Sequence, residues 1–335
     1  MTPPVPDVSV IIVNYNGRRH LAPCLAALAA QEGPAFEVVL VDNGSSDGSA
    51  GLVAEQFPWV RLVALDENLG FAGGNNRGVA AARGRLLVFL NNDTVVEAGW
   101  LQALCGGLEW GPSVGIVAAQ IVYLHDPSVL DSAGDGLTRA GGAYKRGHGG
   151  PATRYLRRRE VFAACGCSCL VPRDVFDEVG GFDEDFFVSH EDVDLSYRIR
   201  LRGYRCVYMP EAVVRHAGSA TLGRTSPLAV FHGQRNLEWL YVKNTPPALL
   251  LWTLPAHLVY VAAAGVYFTA VGRLPTFVRA KWAALVGLPA MWRKRRSIQA
   301  ARRVPDKAIW ELLDAGWMAV KLREKRFDLR VADEP

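Results

Sequence analysis

Hydrophobic and polar positions alternate with two different periods over the first hundred residues. Short apolar runs rich in β-branched residues, typical of strands buried on both faces, occur at residues 8–13, 36–41, 60–65 and 85–90. Segments with the apolar spacing of helices lie between them, at residues 20–30, 49–56 and 74–82. This alternation predicts an α/β fold with a doubly wound, mostly parallel sheet.

Polar, turn-forming residues follow three of these predicted strands. They are Asn14-Tyr15-Asn16, Asp42-Asn43-Gly44 and Asn91-Asn92-Asp93. The carboxyl ends of parallel strands lie at one edge of the sheet, and ligands of open α/β sheets bind there. The sequence therefore predicts a ligand site at this edge.

The pattern is more mixed after residue 98. A stretch rich in Gly, Arg and Tyr at residues 139–159 is expected to form a loop or short strands. Residues 161–172 have the pattern of a strand, and residues 189–201 that of a helix. We expect one domain in two halves, residues 1–98 and 99–245, followed by a helical extension, residues 246–335.

The extension is apolar and basic. Residues 248–272 contain no Asp, Glu, Lys or Arg, and this length is sufficient to cross a bilayer, although Pro255 and His257 weaken a simple span. A shorter apolar segment, residues 282–292, has tryptophan at both ends and basic residues around it, as at a membrane–water interface. Helices packed on the main domain, a true span and interfacial or re-entrant attachment are all open, and we favour the last.

The charge distribution points to the same end of the chain. The 335 residues carry a formal net charge of +4, but residues 273–330 hold 15 basic and 5 acidic residues, whereas the remainder holds 22 and 28. A basic tail on an acidic body indicates an anionic surface, either lipid headgroups or nucleic acid. Because tryptophans alternate with the basic residues, we expect a membrane partner and no nucleic acid.

The cysteines and the N-terminus indicate a cytoplasmic protein. Cys165, Cys167 and Cys169 would lie on one face of a strand, and the second pair of a zinc site is missing. We therefore expect buried thiols in a reducing compartment. Residues 1–7 lack the basic and apolar regions of a signal peptide.

Asp42 opens the sequence Asp-Asn-Gly-Ser-Ser-Asp directly after a predicted strand. Such a sequence can form an Asx turn with no further role. Its carboxylate can also accept the N3–H of a uracil or thymine ring, and Tyr15, at the neighbouring strand end, is placed to stack on that base. With both residues at one edge, we favour a nucleoside site.

Residues 68–78, Asn-Leu-Gly-Phe-Ala-Gly-Gly-Asn-Asn-Arg-Gly, are rich in glycine and lead into a helix. The G-x-x-G-G spacing and the position after the third strand differ from a dinucleotide fingerprint. Backbone N–H groups around Gly70 and the positive end of the helix still suit a diphosphate, to which Arg77 could add charge. A purely structural glycine turn is the alternative.

Asp93 is the candidate metal ligand. A hard divalent cation that bridges two phosphates needs an oxygen ligand near the diphosphate, and Mg2+ or Mn2+ then neutralises charge on the leaving nucleoside diphosphate. His216 follows a strand-like segment and could complete the coordination, although a lone histidine is usually structural.

Ser189-His190-Glu191-Asp192 begins a predicted helix. Ser189 and Asp192 have the spacing of a capping box. The alternative is that Glu191 or Asp192 is a general base, which removes a proton from an acceptor hydroxyl. Asp194 lies roughly 200° further round the helix and should face away.

As an ordered set, these segments resemble glycosyltransferase family 2, and most closely its rhamnosyltransferase-like members. The set is Val-Ser-Val-Ile-Ile-Val-Asn-Tyr-Asn, Val-Asp-Asn-Gly-Ser-Ser-Asp, Asn-Leu-Gly-Phe-Ala-Gly-Gly-Asn-Asn, Leu-Asn-Asn-Asp, Gly-Gly-Phe-Asp-Glu-Asp-Phe-Phe and Glu-Asp-Val-Asp-Leu. The resemblance covers about residues 7–245. It implies a GT-A-type fold, inversion at the anomeric carbon and a metal-dependent nucleoside-diphosphate-sugar donor, with residues 1–98 as the donor-binding half and residues 99–245 as the acceptor-binding and catalytic half.

The resemblance also implies a role for each matching residue. The nucleoside would be held by Asn14, Tyr15 and Asp42, and the diphospho-sugar by Asn68 with Asn75 or Asn76; Gly70 and Asn92 complete the predicted donor site. Asp93 and His216 would hold the metal, and Asp192, beside Glu191, would be the base. The triplet Asn91-Asn92-Asp93 departs from a full Asp-x-Asp, which leaves open how tightly the metal binds and whether it is Mg2+ or Mn2+.

The sequence thus predicts a cytoplasmic transferase, peripheral on the inner face of the cell membrane. It would move L-rhamnose from dTDP-rhamnose to a polyprenyl-diphosphate-linked saccharide in cell-envelope polysaccharide synthesis. UDP-sugars and GDP-mannose are alternative donors. A nucleotidyltransferase would need a glycine-rich loop after the first strand, where Asn-Tyr-Asn-Gly-Arg-Arg-His stands, and a non-catalytic binding protein would not need both Asp93 and Asp192.

Overall fold

One ten-stranded sheet runs through the chain in a computed structural model that describes residues 6–218 and 226–332. The strands are β1 (Val8–Asn14), β2 (Phe36–Asn43), β3 (Arg61–Leu65), β4 (Leu86–Asn91), β5 (Thr94–Val96), β6 (Val114–Tyr123), β7 (Leu130–Ser132), β8 (Asp135–Leu137), β9 (Ala143–Lys145), β10 (Arg159–Val161), β11 (Ser168–Pro172) and β12 (Arg205–His216). The helices are α1 (Arg18–Ala29), α2 (Ser49–Gln56), α3 (Gly70–Ala81), α4 (Trp100–Gly106), α5 (Arg173–Val179), α6 (Glu191–Leu201), α7 (Pro227–Asn244), α8 (Pro247–Ala270), α9 (Leu274–Ala300), α10 (Asp306–Leu312) and α11 (Trp317–Ala332).

The sheet has the order β10-β12-β6-β11-β4-β1-β2-β3, with β5 on β12 and β7 on β6, while β8 and β9 form a separate hairpin. Strands β1 to β4 are parallel, as the sequence predicts, and their buried residues form the core with α1 and α2. Because β11 runs antiparallel between β4 and β6, the sheet as a whole is mixed. The α/β class is confirmed.

Helix α3 lies unusually close to β1. A Cβ atom at Gly78 would be 2.4 Å from Cγ2 of Ile11, and one at Gly74 would be 2.7 Å from Cγ1 of Val13. Only glycine permits this distance, since real side chains do not approach so closely. The glycine-rich segment thus brings the first turn of α3 against the ends of the parallel strands.

Two predicted elements begin later than the sequence pattern indicates. The predicted strand at residues 161–172 is interrupted, because β10 ends at Val161 and β11 begins at Ser168. Cys165 and Cys167 therefore lie in a connection, although both are buried free thiols as expected. The predicted helix at residues 189–201 begins at Glu191, since Ser189 and His190 have positive φ.

The helices of the extension differ in how they pack. Helix α9 packs on α7, where Nε1 of Trp239 donates to the carbonyl of Ala284 at 3.1 Å. Helix α8 is long and apolar enough to cross a membrane, yet most of it is uncovered, and Trp252 is 81% exposed. Helix α8 packs on the domain by one face only, where Thr253 and His257 are buried and His257 contacts Glu238 and the carbonyl of Ala140. The predicted boundaries at residues 98 and 245 stay predictions, and the sheet continues across the first.

We predict that Gly78→Ala lowers the free energy of unfolding by about 1–3 kcal/mol, because the new methyl group collides with Ile11. Gly51→Ala in α2 is the matched control, since its Cβ meets open space and the better helix former should add about 0.5–1 kcal/mol. Denaturant unfolding of the two variants measures both effects. Equal stabilities would show that α3 does not need the close approach.

Candidate active site

A cleft of about 530 Å³ opens at the carboxyl ends of β1, β2 and β4 and is closed on its other side by the segment before α6 and the start of α7. Eight of the twelve predicted site residues line it: Tyr15, Asn68, Gly70, Asn92, Asp93, Glu191, Asp192 and His216. The sheet edge predicted from the sequence is therefore the floor of a cavity. Its walls come from both halves of the domain.

Asn14 and Asp42 lie directly behind this lining. The buried Asn14 amide donates from Nδ2 to Oδ1 of Asp42 at 3.0 Å, and its Oδ1 accepts from Nδ2 of Asn92 at 2.7 Å. The other carboxylate oxygen of Asp42 accepts from the backbone N–H of Ser45 at 3.3 Å. Tyr15 lies at the mouth of the cleft and is 44% exposed, so its ring is available for stacking.

Asn43, which the sequence analysis did not single out, orders the glycine-rich turn. Its Nδ2 donates to Oδ1 of Asn68 at 2.9 Å and to the carbonyl of Gly70 at 3.0 Å. Gly70 has φ +73°, and a Cβ there would be 2.4 Å from the carbonyl oxygen of Phe187. The first turn of α3 consequently lines the cleft with Gly70 and Phe71, and the positive end of the helix lies at the cavity wall. The backbone N–H groups of Leu69, Gly70 and Ala72 are already bound, by Asn43, Asn68 and the carbonyl of Phe187.

The residues further along α3 do not line the cleft. Asn75 donates from its side chain to the carbonyl of Phe71, and Asn76 donates to the carbonyl of Phe182 and the carboxylate of Glu184. Arg77 pairs with Glu184 at 3.7 Å. The roles of Asn75 and Asn76 in donor binding stay predictions, and in this structure their amides are engaged elsewhere.

Asp93 and His216 meet in the cleft. Oδ1 of Asp93 lies 3.3 Å from Nε2 of His216, and Nδ1 of His216 lies 3.0 Å from Oδ2 of Asp131. Burial opposes protonation of His216, but Cys167, Asp131 and Asp93 together raise its pKa well above the usual value. The pattern of a histidine held by a second carboxylate is the one that orients histidine ligands of metals.

This pair fits a divalent cation. Two ligands at about 2.1 Å from an octahedral ion stand about 3 Å apart, close to the distance between Asp93 and His216. With its Nδ1 proton donated to Asp131, His216 would present the Nε2 lone pair to the ion, which would replace a proton. Asp131 carries no sequence signal, because it lies on the short strand β7 and reaches the site only through the fold.

Asp192 is fixed by the backbone and makes no capping box. The N–H groups of Gly166 and Val193 each donate to its carboxylate at 2.8 Å, and residue His190 precedes the helix without a side-chain cap. Burial raises the pKa of Asp192 despite these two donors. A carboxylate held in place with a raised pKa suits a general base.

Glu191 has a different environment. Its Oε2 is buried and has no hydrogen-bond partner among the described residues, and burial together with Asp192 raises its pKa well above the usual value. This environment favours the protonated form of Glu191, which leaves Asp192 as the better proton acceptor of the two. Asp194 faces away as expected and binds Arg198 and Lys243.

A third acid belongs to this end of the cleft. Oxygen or sulfur atoms of Asp135, Cys165 and Asp192 lie within 4.8 Å of one another, and burial together with Asp192 raises the pKa of Asp135 to about 7. These atoms form a second possible ligand set among the described residues. No sequence pattern pointed to Asp135, because it approaches Asp192 at the start of α6 only in the folded chain.

The turn before Asp192 has an unfavourable backbone conformation, and a side chain of α7 stabilises it. Phe187, Ser189 and His190 have positive φ, which is uncommon for residues other than glycine. Nδ2 of Asn236 in α7 lies within 2.9 Å of three carbonyl oxygens of this turn, those of Phe186, Val188 and Ser189. Asn236 is buried and, with these bonds, it holds the turn in place.

Comparison with known proteins identifies the class of this molecule. The fold is of the GT-A type: the mannosyltransferase PcManGT from Pyrobaculum calidifontis, solved in complex with GDP-Man and Mn2+, superposes with a TM-score of 0.53 at 23% identity, over 89% of this chain and 85% of that one. The model of the family described as glycosyl transferase family 2 matches residues 9–180. The chain belongs to this family, and it is a glycosyltransferase.

Two relatives from Mycobacterium tuberculosis match most of the chain. The uncharacterized protein MT1568 is 31% identical over 280 residues, 79% of this chain and 87% of the relative. N-acetylglucosaminyl-diphospho-decaprenol L-rhamnosyltransferase is 32% identical over 249 residues, 67% of this chain and 80% of the relative. The resemblance to rhamnosyltransferase-like members is thereby confirmed.

We predict that Asp192→Asn lowers kcat for sugar transfer by about 10²–10⁴-fold, because the amide cannot accept the proton, while donor binding is retained. Glu191→Gln is the matched control: burial favours the protonated form of this carboxyl, and the amide has the same shape, so kcat should change far less than in Asp192→Asn. Single-turnover transfer and donor titration measure the two effects. The reverse ranking would assign the base to Glu191.

The pH profile of kcat/KM checks the same assignment. A base whose pKa is raised is a carboxylate only above that pKa, so activity should fall on acidification at a pH above the usual aspartate value of about 4. Glu191→Gln should keep this acid limb. An acid limb that disappears in Glu191→Gln would contradict the assignment.

Proposed function

We propose that the protein is an inverting, metal-dependent glycosyltransferase that moves L-rhamnose from dTDP-rhamnose to a polyprenyl-diphosphate-linked saccharide. The observation that carries the proposal is that Asp192, fixed by two backbone N–H groups, shares one cleft with the pair Asp93 and His216. The relative named as an N-acetylglucosaminyl-diphospho-decaprenol L-rhamnosyltransferase supports the choice of sugar and acceptor. The family assignment favours a transferase over a nucleotidyltransferase or a non-catalytic binding protein.

The donor lies, in this proposal, along the carboxyl edge of the sheet. Tyr15 stacks on a thymine ring near Asp42, and Asn14 and Asn92 hold the nucleoside end of the cleft in shape. The diphosphate lies between the first turn of α3, with Asn68 and Gly70, and Asp93. Mg2+ or Mn2+ bound by Asp93 and His216 would neutralise negative charge on the diphosphate.

Transfer then needs one displacement. The Asp192 carboxylate accepts the proton of an acceptor hydroxyl, whose oxygen forms a bond to the anomeric carbon. The bond from that carbon to the diphosphate oxygen breaks on the opposite face, and the configuration inverts. The two backbone N–H groups on Asp192 keep the base in one position throughout.

The first experiment measures release of nucleoside diphosphate from dTDP-rhamnose, UDP-sugars and GDP-mannose, with and without Mg2+ or Mn2+, in a membrane lipid extract. We expect metal-dependent release from dTDP-rhamnose that is lost in Asp93→Asn and Asp192→Asn. Release from a UDP-sugar or GDP-mannose alone would overturn the choice of donor. Metal-independent transfer would overturn the role of Asp93 and His216.

We further propose that the extension holds the enzyme peripherally on the inner face of the cell membrane. The uncovered side chains of α8 and α9 include Trp252, Trp282, Leu285 and Val286. The basic residues of α9 stand on the same helix as Trp282. Apolar and aromatic residues beside basic ones suit an interface with anionic lipid.

We predict that Trp252→Glu with Trp282→Glu reduces binding to phosphatidylglycerol vesicles by at least 10-fold, since two exposed indole rings are replaced by charges that anionic lipid repels. Trp59→Glu is the control, because Trp59 is 45% exposed but lies before β3 in the sheet domain. Vesicle co-sedimentation measures the binding. Equal loss in the control would indicate a charge effect independent of α8 and α9.

A further inference from the structure

A second cleft, of about 430 Å³, adjoins the active-site cleft. It lies between the β8–β9 hairpin, β10 and α11, and Lys145 lines both cavities. Helix α11 is attached to the hairpin: Oε1 of Glu324 accepts from the N–H of Lys145 at 2.9 Å, and Nζ of Lys321 donates to the carbonyl of Ala143. The two clefts therefore meet at Lys145.

Three arginines face this cleft without a carboxylate partner among the described residues. They come from three different elements, since Arg146 follows β9, Arg159 begins β10 and Arg323 is on α11. Arg146 donates to the carbonyl of Ala133 at 2.9 Å and lies over the ring of Tyr155, 4.8 Å from its centroid. Burial and the nearby Arg159 lower the pKa of Arg146, which means that burial and like-charge repulsion both disfavour its charged form.

The acids of the cleft are occupied by other groups. Glu324 binds the Lys145 amide and Nζ of Lys321, and Asp314 accepts from the hydroxyl of Tyr144 and the N–H of Gly316. Lys145 itself is held by Asp131 at 2.8 Å. The four basic residues of the lining, Lys145 and the three arginines, outnumber its two carboxylates, Asp314 and Glu324, so the cleft carries an excess of positive charge.

An apolar hollow of about 470 Å³ continues from the basic cleft and shares His148 and Arg323 with it. Its other lining residues include Ala319, Leu322 and Phe327. Three kinds of side chain therefore follow one another along these adjoining cavities. The general base comes first, then three guanidinium groups, then an apolar wall.

We propose that this basic cleft binds the diphosphate of the acceptor, with the acceptor saccharide reaching past Lys145 to Asp192 and the start of the prenyl chain in the apolar hollow. The proposal rests on the proposed function, because it takes the acceptor to be diphosphate-linked. Guanidinium groups bind phosphate oxygens in bidentate geometry, and three of them from separate elements can surround a diphosphate. The order of the three surfaces is the order of saccharide, diphosphate and lipid in such an acceptor.

The test measures binding of geranyl diphosphate by calorimetry in detergent, with dTDP and Mn2+ present to fill the donor cleft. Arg159→Ala with Arg323→Ala should weaken binding at least 10-fold, while binding of geraniol stays unchanged. Arg158→Ala is the matched control, because Arg158 adjoins Arg159 in sequence but pairs with Glu211. Unchanged binding of geranyl diphosphate in the double variant would overturn the proposal, whatever the donor panel shows.

Two further measurements distinguish an acceptor site from a site for lipid headgroups. The double variant should keep its affinity for phosphatidylglycerol vesicles, and it should raise KM for a prenyl-diphosphate-linked saccharide without raising KM for the same saccharide on an uncharged alkyl chain. Loss of vesicle binding with no change in either KM would assign the arginines to headgroups instead. If no donor of the panel is used and geranyl diphosphate still binds as expected, the proposed donor and acceptor are wrong and the anion site stands.

Discussion

The buried amide of Asn14 joins the ends of three parallel strands. It follows the last apolar residues of β1, donates to Asp42 at the end of β2 and accepts from Asn92 just after β4. Each of these groups would be costly to bury without a partner, so the network fixes the spacing of the strand ends as well as satisfying them. Tyr15, Asp93 and the turn at Asn68 are all placed from these three ends.

A second network extends from the cleft floor to the acceptor side. Asp93 contacts His216, His216 contacts Asp131, and Asp131 binds Lys145. Lys145 is the residue that the two cavities share. Three contacts thus separate Asp93, a predicted metal ligand, from Lys145 at the edge of the cleft that we propose for the acceptor. A continuous chain of buried contacts connects the predicted metal ligands with the residue at the border of the two clefts.

Sequence alone predicted the parallel half of the sheet and the edge where the cleft opens, because β-branched runs and polar strand ends are local signals. It also brought Asp93, His216 and Asp192 into one proposed site through the family resemblance. It could not show Asp131, Asp135, Lys145 or Asn236, since each reaches the cleft only through pairing between distant segments. The roles of Asn75 and Asn76 in donor binding stay predictions, and in this structure their amides donate to groups of residues 71, 182 and 184.

The left-handed turn before Asp192 has a consequence for the extension. Asn236, which binds that turn, belongs to α7. Helix α9 in turn contacts the end of α7, where Arg295 donates to the carbonyls of Val242 and Thr245. Lys294 of α9 also binds Asp183, just upstream of the turn. Helix α9 is therefore packed into the domain that carries Asp192. A displacement of α9 would move the groups that hold this turn and the segment just upstream of it, so the position of Asp192 depends on a helix much further along the chain.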